Sequence, residues 1–224
     1  RAGEVLVLTG LVGAGRTEIL RSIFGADKYD SGEILFEGQP IAKKTGKVIR
    51  QGFGLIPEDR RTQGFIPLLS IEKNVASTNY DHLSGRGFVD RKAEKELGEK
   101  GVRLVDMRPP NPLIPVGTLS GGNQQKAVLA KWLTRDLKVV LIDEPTVGID
   151  IGAKDEIYNF IESLAQKGVA VLLVSSDVSE VLRVAHRIIV MKEGRIIHEF
   201  NSGVATQEDI LLTSSGIQTQ ERGA

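Results

Sequence analysis

Cysteine is absent from this 224-residue chain, and neither sign of charge is in excess. Without thiols the sequence has no disulfide framework and no thiolate metal site, which suits a reducing compartment such as the cytoplasm. Lys plus Arg and Asp plus Glu are both 29, so bulk charge favours neither nucleic acid nor an anionic membrane as a partner. The strongest apolar runs, Val5–Leu8 and Val169–Val174, are far shorter than the ~20 residues of a membrane-spanning helix. We therefore expect no nucleic-acid partner and no membrane span.

Short apolar runs alternate with amphipathic stretches along most of the chain. This alternation predicts an α/β fold in which helices cover a mainly parallel sheet. Hydrophobic residues at 41% and charged residues at 26% are close to the globular average. Strands are predicted at Val5–Thr9, Gly54–Ile56, Val139–Ile142, Val169–Val174, Arg187–Met191 and Ile196–Phe200, helices at Arg16–Phe24, Gly152–Gln166, Val178–Ala185 and Gln207–Leu212, and a hairpin within Asp30–Ile41.

The middle of the chain has a different pattern. From Ser70 to Met107 it is helical and strongly charged, and the mixed-sign run at 91–100 is interpreted as a solvated helix face. Prolines between 109 and 115 then interrupt the helical pattern. We predict one domain over 1–224, with a core at about 1–69 and 136–212, a helical subdomain at about 70–135, and a polar, mobile tail at 213–224.

A glycine-rich segment follows the first predicted strand. GLVGAGRT at 10–17 matches the phosphate-loop pattern G-x-x-x-x-G-K-[ST], except that Arg16 replaces the lysine. In such loops backbone amides surround phosphate oxygens, and the hydroxyl, here that of Thr17, binds Mg²⁺. The alternative is a glycine-rich turn without a ligand. Because a guanidinium is long and planar, we expect nucleotide binding to be retained or weakened and hydrolysis to be slowed. The candidate nucleotide-binding residues are Gly10, Leu11, Val12, Gly13, Ala14, Gly15, Arg16, Thr17 and Glu18.

Two carboxylates, Asp143 and Glu144, follow the apolar strand Val139–Ile142. A phosphate-loop ATPase uses the first carboxylate of such a pair to hold Mg²⁺ and the second to activate water. We expect Asp143 near Thr17 if their strands are neighbours, with Glu144 directed toward the γ-phosphate. A strand end without chemistry is the alternative, which the upstream loop makes less favoured.

A third segment, LSGGNQQK at 119–126, begins a helix. Ser120 is a good N-cap, and two glycines after it allow a backbone to approach closely. The segment therefore predicts a helix N-terminus able to receive an anion, with an ordinary capped helix as the alternative.

Together these segments resemble the ABC-transporter ATPases. LSGGNQQ resembles the signature motif of that family, Asp150 occupies the place of its D-loop, and the resemblance spans nearly the whole chain. More narrowly, four segments in combination resemble the second ATPase domain of sugar importers of the ribose, galactose and xylose type: GLVGAGRTE at 10–18, PEDR at 57–60, LSGGNQQK at 119–126 and DEPTVGIDIGAK at 143–154. The resemblance implies an α/β P-loop NTPase fold of ABC type with a helical subdomain. Its N-terminal antiparallel part, with the aromatic residue that stacks on adenine, is expected to be truncated.

The resemblance also implies roles for these residues. In the family, ATP lies between two ATPase domains, so that the phosphate loop of one faces the signature of the other. The catalytic candidates are Glu144, Ser176 and Glu58, and the Mg²⁺ ligands are Thr17, Asp143 and Glu58. Asp150 would couple the two sites. The signature residues that would serve the partner domain's nucleotide are Leu119, Ser120, Gly121, Gly122 and Asn123.

Three positions depart from the family's pattern. Arg16 replaces the phosphate-loop lysine, Glu58 stands where the Q-loop usually has glutamine, and Ser176 replaces the switch histidine. A hydroxyl donates a hydrogen bond but lacks the charge of an imidazolium. These departures suggest an asymmetric pair, in which this domain completes its partner's site and has a weaker site of its own.

The function implied is binding and hydrolysis of ATP, with Mg²⁺, to drive import of a simple sugar at the cytoplasmic face of the membrane. The implied partners are the first nucleotide-binding domain of the same or a second chain, transmembrane permease subunits and, indirectly, a periplasmic sugar-binding protein. Docking to the permease would involve about Arg60–Tyr80, where Phe65, Ile66, Leu68 and Leu69 are either local core or an exposed patch.

Other functions remain as alternatives. The main one is a catalytically weak, nucleotide-gated module that supplies the signature motif to a partner's active site. A soluble ABC ATPase of repair or translation is disfavoured by the zero net charge and the lack of a long coiled-coil insertion. A GTPase is disfavoured because no Asn-Lys-x-Asp segment occurs.

Overall fold

The computed structural model describes residues 1–85, 88–201 and 203–216. The strands are β1 (Val5–Gly10), β2 (Leu35–Phe36), β3 (Gln39–Pro40), β4 (Phe53–Ile56), β5 (Ser84–Gly85), β6 (Phe88–Val89), β7 (Val139–Asp143), β8 (Ala170–Val174), β9 (Arg187–Lys192) and β10 (Arg195–Asn201). The α-helices are α1 (Arg16–Phe24), α2 (Thr45–Arg50), α3 (Ile71–Ala76), α4 (Tyr80–Leu83), α5 (Arg91–Leu104), α6 (Gly121–Leu133), α7 (Ile151–Gln166), α8 (Val178–Val184) and α9 (Gln207–Ser215). A π-helical turn spans Arg60–Gly64, and a 3₁₀ turn spans Val116–Thr118.

The main sheet has six strands in the order β10-β9-β1-β8-β7-β4. β1 is parallel to both β8 and β9, β7 is parallel to β8, and β10 is antiparallel to β9. The strands at the centre of the sheet are buried, which explains their nearly continuous apolar sequence. The predicted α/β architecture with a mainly parallel sheet is confirmed.

The register of the parallel strands places the site segments at one edge of the sheet. Asp143, the last residue of β7, is aligned with Val174, the last residue of β8, and Gly10 at the end of β1 is aligned with Met191. Carboxyl ends of parallel strands lie at the same edge, where α/β proteins bind their ligands. The glycine loop and the two carboxylates therefore emerge from the same edge.

Contacts divide the chain into two compact units. The first comprises Arg1–Leu55, Lys138–Glu144 and the described residues from Glu156 on, and the second comprises Ile56–Leu137 and Pro145–Asp155. The helical subdomain expected at about 70–135 falls inside the second unit, which begins earlier and includes the segment after Glu144.

The first unit is built around β1 and α1. Val5 and Val7 are fully buried, and Leu20 on α1 is buried as well. Near the other end of the chain, α9 continues to Ser215, beyond the predicted end at Leu212, and the side chain of Ile210 is fully buried. Residues 217–224 of the predicted tail lie outside the described residues.

The second unit is held together by close helix packing. A Cβ at Gly98 on α5 would lie 2.3 Å from Cβ of Glu72 on α3, so the two helices approach as closely as glycine allows. Asn74, which is 1% exposed, receives a hydrogen bond from the Ile66 amide and donates to the carbonyls of Ile66, Leu69 and Ser70. One buried amide side chain therefore fixes the loop before α3.

Sequence patterning missed the shortest elements. α2, the π-helical turn and the small β5–β6 hairpin were not predicted, because elements of two to six residues are too short to show a period. Among the described residues, no helix has both the length and the apolar character required to cross a membrane.

Candidate functional site

The loop between β1 and α1 owes its shape to glycine. Gly10 has φ 145°, and a Cβ there would lie 2.1 Å from the carbonyl oxygen of Met191, so a larger residue does not fit. Gly13 and Gly15 have φ values of 81° and 86°, in the left-handed region that favours glycine. A Cβ at Gly13 would meet nothing within 4 Å. Packing therefore requires glycine at position 10, whereas backbone conformation alone favours it at position 13.

The N-terminus of α1 is open to a ligand. Gly15 is the N-cap, and no side chain caps the helix. The first amides of a helix have no partner within it, and they form the positive end of the helix dipole. Val12 in the loop is 95% exposed, and Thr17 in the first turn is half-buried. Loop and helix together form a cradle suited to a phosphate group.

Arg16 does not extend into solvent from this loop. Its side chain is 8% exposed, and Nη1 donates to the carbonyl oxygen of Ser175 at 3.0 Å. The same Nη1 lies 3.6 Å from Oε1 of Glu144. The guanidinium of Arg16 thus lies beside the carboxylate that the sequence predicts to be the catalytic base.

Asp143 and Glu144 end β7 on the sheet edge. Asp143 is 3% exposed, and the Glu144 amide donates to the carbonyl of Val174 at 2.9 Å. Glu144 has φ 42°, a left-handed conformation that costs a non-glycine residue about 1 kcal/mol or more. The local backbone therefore turns sharply at Glu144, where the side chain is 10% exposed beside Arg16.

Electrostatics connect Asp143 to the helix that carries Thr17. Arg21 forms two hydrogen bonds with Asp27, at 2.6 and 2.9 Å, and these raise the pKa of Arg21, with a smaller contribution from the charge of Asp143. Arg21 lies one turn after Thr17 on the same face of α1. Helix α1, which carries Thr17, also packs against β7, the strand that ends in Asp143.

The segment after β8 adds a residue that sequence analysis missed. Ser175 is fully buried, its carbonyl accepts from Arg16, and its hydroxyl donates to Glu180, which is also buried. Ser176, the predicted switch residue, is exposed. The signal in the sequence was a pair of serines directly after an apolar strand. Only the structure shows that Ser175 is the buried one, and buried polar groups are normally hydrogen-bonded. Ser175 thus links the phosphate loop to α8.

The second unit contains the remaining predicted residues. Glu58 is exposed and is the second residue after β4. Asp59 caps the π-helical turn by accepting from the amides of Arg61 and Thr62. The hydroxyl of Thr62 donates to Asp59 at 2.6 Å, and these hydrogen bonds lower the pKa of Asp59. Glu58 is therefore followed by a well-defined turn.

The signature segment has the predicted helix start. Ser120 is the N-cap of α6 and accepts from the amide of Asn123 at 3.5 Å, and the side chain of Asn123 donates to the same hydroxyl at 3.2 Å. A Cβ at Gly122 would lie 3.4 Å from Cβ of Ala153, near the start of α7. Asp150, immediately before α7, is exposed. The second unit thus brings the signature and the D-loop segment together.

Arg60 and Lys131 attach the π-helical turn to its surroundings. Arg60 donates from Nη1 to the carbonyl of Val147 at 2.8 Å and from Nη2 to that of Gly148 at 3.0 Å. Lys131 on α6 donates to the carbonyl of Gly64 at 2.6 Å, and burial lowers the pKa of Lys131 to about 8. Neither residue was identified from the sequence, since nothing local distinguishes them from surface cations.

The segment proposed for docking is mixed in exposure. Phe65 is 7% exposed and belongs to the core, whereas Ile66 is 51% and Leu68 is 90% exposed. Phe65 is therefore local core, whereas Ile66 and Leu68 belong to an exposed patch.

Comparison with known proteins places this geometry in a family. A family model described as ABC transporter matches residues 1–147. The chain is 44% identical over 225 residues to the ribose import ATP-binding protein RbsA 1 of Streptomyces coelicolor, covering 96% of this chain and 43% of that protein. It is 44% identical over 214 residues to the arabinose import ATP-binding protein AraG of Paraburkholderia xenovorans, covering 94% of this chain and 42% of that protein. The chain spans less than half the length of these relatives.

Solved structures share the fold. CbiO1 from Clostridium perfringens, part of the ABC transporter complex cbiONQ, aligns with a TM-score of 0.77 at 23% identity, over 97% of this chain and 85% of that one. The ATP-binding cassette MJ0796, in a dimeric post-hydrolysis state bound to ADP and phosphate, aligns with a TM-score of 0.76 at 21% identity, over 90% and 86%. The expected ABC-type fold is confirmed. With a family model over more than half of its length and relatives 44% identical over nearly all of it, the chain belongs to the ABC transporter family.

Proposed function

We propose that this chain is an ATPase domain that binds Mg-ATP and forms one half of a paired unit driving import of a simple sugar through a membrane permease. The observation that carries the proposal is that two features lie at the same edge of the main sheet. One is the glycine loop with the uncapped start of α1, and the other is the carboxylate pair Asp143 and Glu144. The names of the relatives supply the transport direction and the sugar class.

The residues of the site fit a magnesium nucleotide. The glycine loop would provide the phosphate site, and a Cβ at position 10 would disrupt it. The hydroxyl of Thr17 and the buried carboxylate of Asp143 would provide the hard oxygen ligands that Mg²⁺ prefers. Thr17 and Asp143 would hold the metal, which neutralises charge on the phosphates when bound. Glu58 is a further candidate ligand, and the loop amides with Arg16 would orient the phosphates.

Glu144 is the proposed general base. In this structure its carboxylate lies 3.6 Å from the guanidinium of Arg16. A carboxylate held beside a guanidinium is oriented toward that group, so it is less free to turn toward an attacking water. Together with Ser176 in place of a histidine, this contact favours slow hydrolysis at the site of this chain.

The same contact supports the second candidate function. A domain with a weak site of its own still presents the segment Leu119–Asn123 to a partner's nucleotide. In that case this chain would act as a nucleotide-gated module, and most of the hydrolysis would occur at the partner's phosphate loop.

The position of the chain within its transporter follows from the same reasoning. We infer that it corresponds to the second nucleotide-binding domain of a sugar importer, because its segments at 57–60 and 143–154 resemble that domain. Its partner would be the first such domain, of the same or a second chain. Permease subunits would hold it at the cytoplasmic face of the membrane, and a periplasmic sugar-binding protein would take part indirectly.

Calorimetry of Mg-ATP binding, together with steady-state phosphate release, tests the proposal. Binding with turnover that Glu144→Gln abolishes is the expected result for an ATPase. Binding without turnover would favour the nucleotide-gated module. Absence of binding by a folded polypeptide would contradict both.

A further inference from the structure

Arg60 contacts two segments that the proposed function assigns to the partner's nucleotide. Its two terminal nitrogens donate to the carbonyls of Val147 and Gly148, at 2.8 and 3.0 Å. The proposed role of Asp150 places these carbonyls in the D-loop segment, two and three residues before that aspartate. A fork of two parallel donors defines an orientation as well as a distance.

The same guanidinium lies against the signature. A Cβ built on Gly121 would be 3.0 Å from Nη2 of Arg60 and 3.2 Å from the carbonyl oxygen of Gly148. Arg60 therefore occupies the space that a side chain at position 121 would need. One guanidinium thus contacts the D-loop segment and the first residue of α6 at the same time.

The segment that carries Arg60 is itself fixed to α6. A Cβ at Gly64 would lie 2.8 Å from Cγ2 of Val128, so the end of the π-helical turn packs directly on this helix. Lys131 donates to the Gly64 carbonyl at 2.6 Å. At its start, the turn is capped by Asp59. The turn is therefore held at both ends within the second unit, immediately after Glu58.

Charge sets Arg60 apart from the phosphate-loop arginine. Within the described part of the chain, Arg60 donates to two main-chain carbonyls, which carry no full charge. A cation near a helix N-terminus is electrostatically unfavourable. The position of Arg60 at the start of α6 is explained if this arginine fixes the relative position of Gly121 and residues 147–148. In the paired unit, an anion would lie at this surface.

We propose that Arg60 is a positioning residue that holds the signature and the D-loop segment in one geometry for the nucleotide of the partner domain. The proposal rests on the paired unit of the proposed function. Arg60 contacts no nucleotide of its own chain in this scheme. Its loss therefore lowers turnover without weakening Mg-ATP binding at the phosphate loops.

The test compares three variants of the full polypeptide that contains this domain. We expect Arg60→Ala to lower kcat for ATP by about tenfold or more, with Mg-ATP affinity unchanged within about twofold. Arg60→Lys keeps a donor and should recover part of the loss. Arg61→Ala, at the exposed neighbouring arginine, is the matched control and should leave kcat within about twofold of the parent.

A structural readout accompanies the kinetics. Hydrogen exchange of the amides at 146–150 should speed up in Arg60→Ala, because two carbonyls in this segment lose their donors. If Arg60→Ala does not fold, as judged by circular dichroism, Arg60→Lys and Arg60→Gln replace it. The same comparison is then made: a lower kcat with unchanged Mg-ATP affinity supports the proposal. An unchanged kcat, or a parallel loss of kcat and affinity, would overturn the proposal.

Ser120→Arg separates this proposal from the proposed function. A bulky cation at the N-cap of the signature should abolish the turnover of a paired unit. If Ser120→Arg leaves turnover intact, the paired-site function fails. If Ser120→Arg abolishes turnover while Arg60→Ala does not reduce it, only the role of Arg60 fails.

Discussion

Two arginines, Arg16 in the first unit and Arg60 in the second, both donate to main-chain carbonyls but differ in their other neighbours. Arg16 is buried, bonded to the carbonyl of Ser175, and lies beside the carboxylate of Glu144. Arg60 donates to two carbonyls and contacts the signature glycine. Arg16 thus has an anionic neighbour in its own unit, whereas Arg60 joins two segments of the second unit. Under the proposed function, the first unit would therefore have a restrained nucleotide site and the second an ordered signature segment.

The largest effect is expected from a methyl group in the phosphate loop. Gly10→Ala should destabilise the protein by about 3 kcal/mol or more, because the backbone oxygen of Met191 occupies the space of the new Cβ. Gly13→Ala is the control, since open space surrounds that position and only backbone strain of about 1 kcal/mol applies. Urea denaturation of both variants measures the difference. Equal losses would show that steric contact at Gly10 is not what shapes the loop.

A pH-dependent effect is expected from Lys131 in the second unit. Its pKa is lowered by burial to about 8, below the ordinary 10.5, so folding is penalised at pH values below about 8. The penalty is relieved as pH rises from about 8 toward 10.5, and the gain between pH 7 and 9.5 should be about 2 kcal/mol. Unfolding free energies of the parent and Lys131→Met, measured at both pH values, isolate this contribution. The difference between the two proteins should change with pH in that direction, and a constant difference would contradict the assignment.

Removing a hydroxyl tests the connection between Ser175 and Glu180 on α8. Ser175→Ala should cost about 1–2 kcal/mol of unfolding free energy, because the buried Glu180 carboxylate loses a donor. Ser176→Ala, at the exposed neighbour, should leave stability within about 0.5 kcal/mol. Thermal and urea unfolding provide the measurement. A larger loss at position 176 would reverse the roles assigned to the two serines.

The smallest effect is expected from the arginine in the phosphate loop. Arg16→Lys should free the Glu144 carboxylate from the guanidinium and raise the rate of phosphate release by about three- to tenfold, ~1 kcal/mol in the barrier. Arg21→Lys changes a matched arginine on the same helix that pairs with Asp27 instead, and should leave the rate unchanged. A phosphate-release assay at saturating Mg-ATP gives the comparison. No change in Arg16→Lys would remove the ion pair as the cause of slow hydrolysis.

Most regular elements could be predicted from the sequence. The predicted helix Arg16–Phe24 has the same bounds in the structure, and the strand predicted at Val139–Ile142 differs from β7 by one residue. Apolar periodicity and turn residues act over a few neighbouring positions, so they are visible without the fold. The elements that were not predicted, such as the π-helical turn, are short. The turn is stabilised by a residue distant in sequence, Lys131.

The candidate site was predictable in its residue types but not in its contacts. Glycine spacing and the carboxylate pair mark the phosphate loop and the end of β7 because backbone conformation and strand ends are local properties. The Arg16–Ser175 contact joins residues 159 positions apart, and the Arg60–Val147 contact joins residues 87 apart. No local pattern encodes such pairs.

The sequence by itself determined where the glycine loop lies, which strand ends in the two carboxylates and which helix begins at LSGG. Each of these depends on residue type at fixed short spacing. The tertiary structure alone decided that one arginine lies beside the proposed base while another joins the signature to the D-loop segment. The reason is physical: long cationic side chains reach many partners, and only the packed surroundings select which carbonyls and carboxylates they meet.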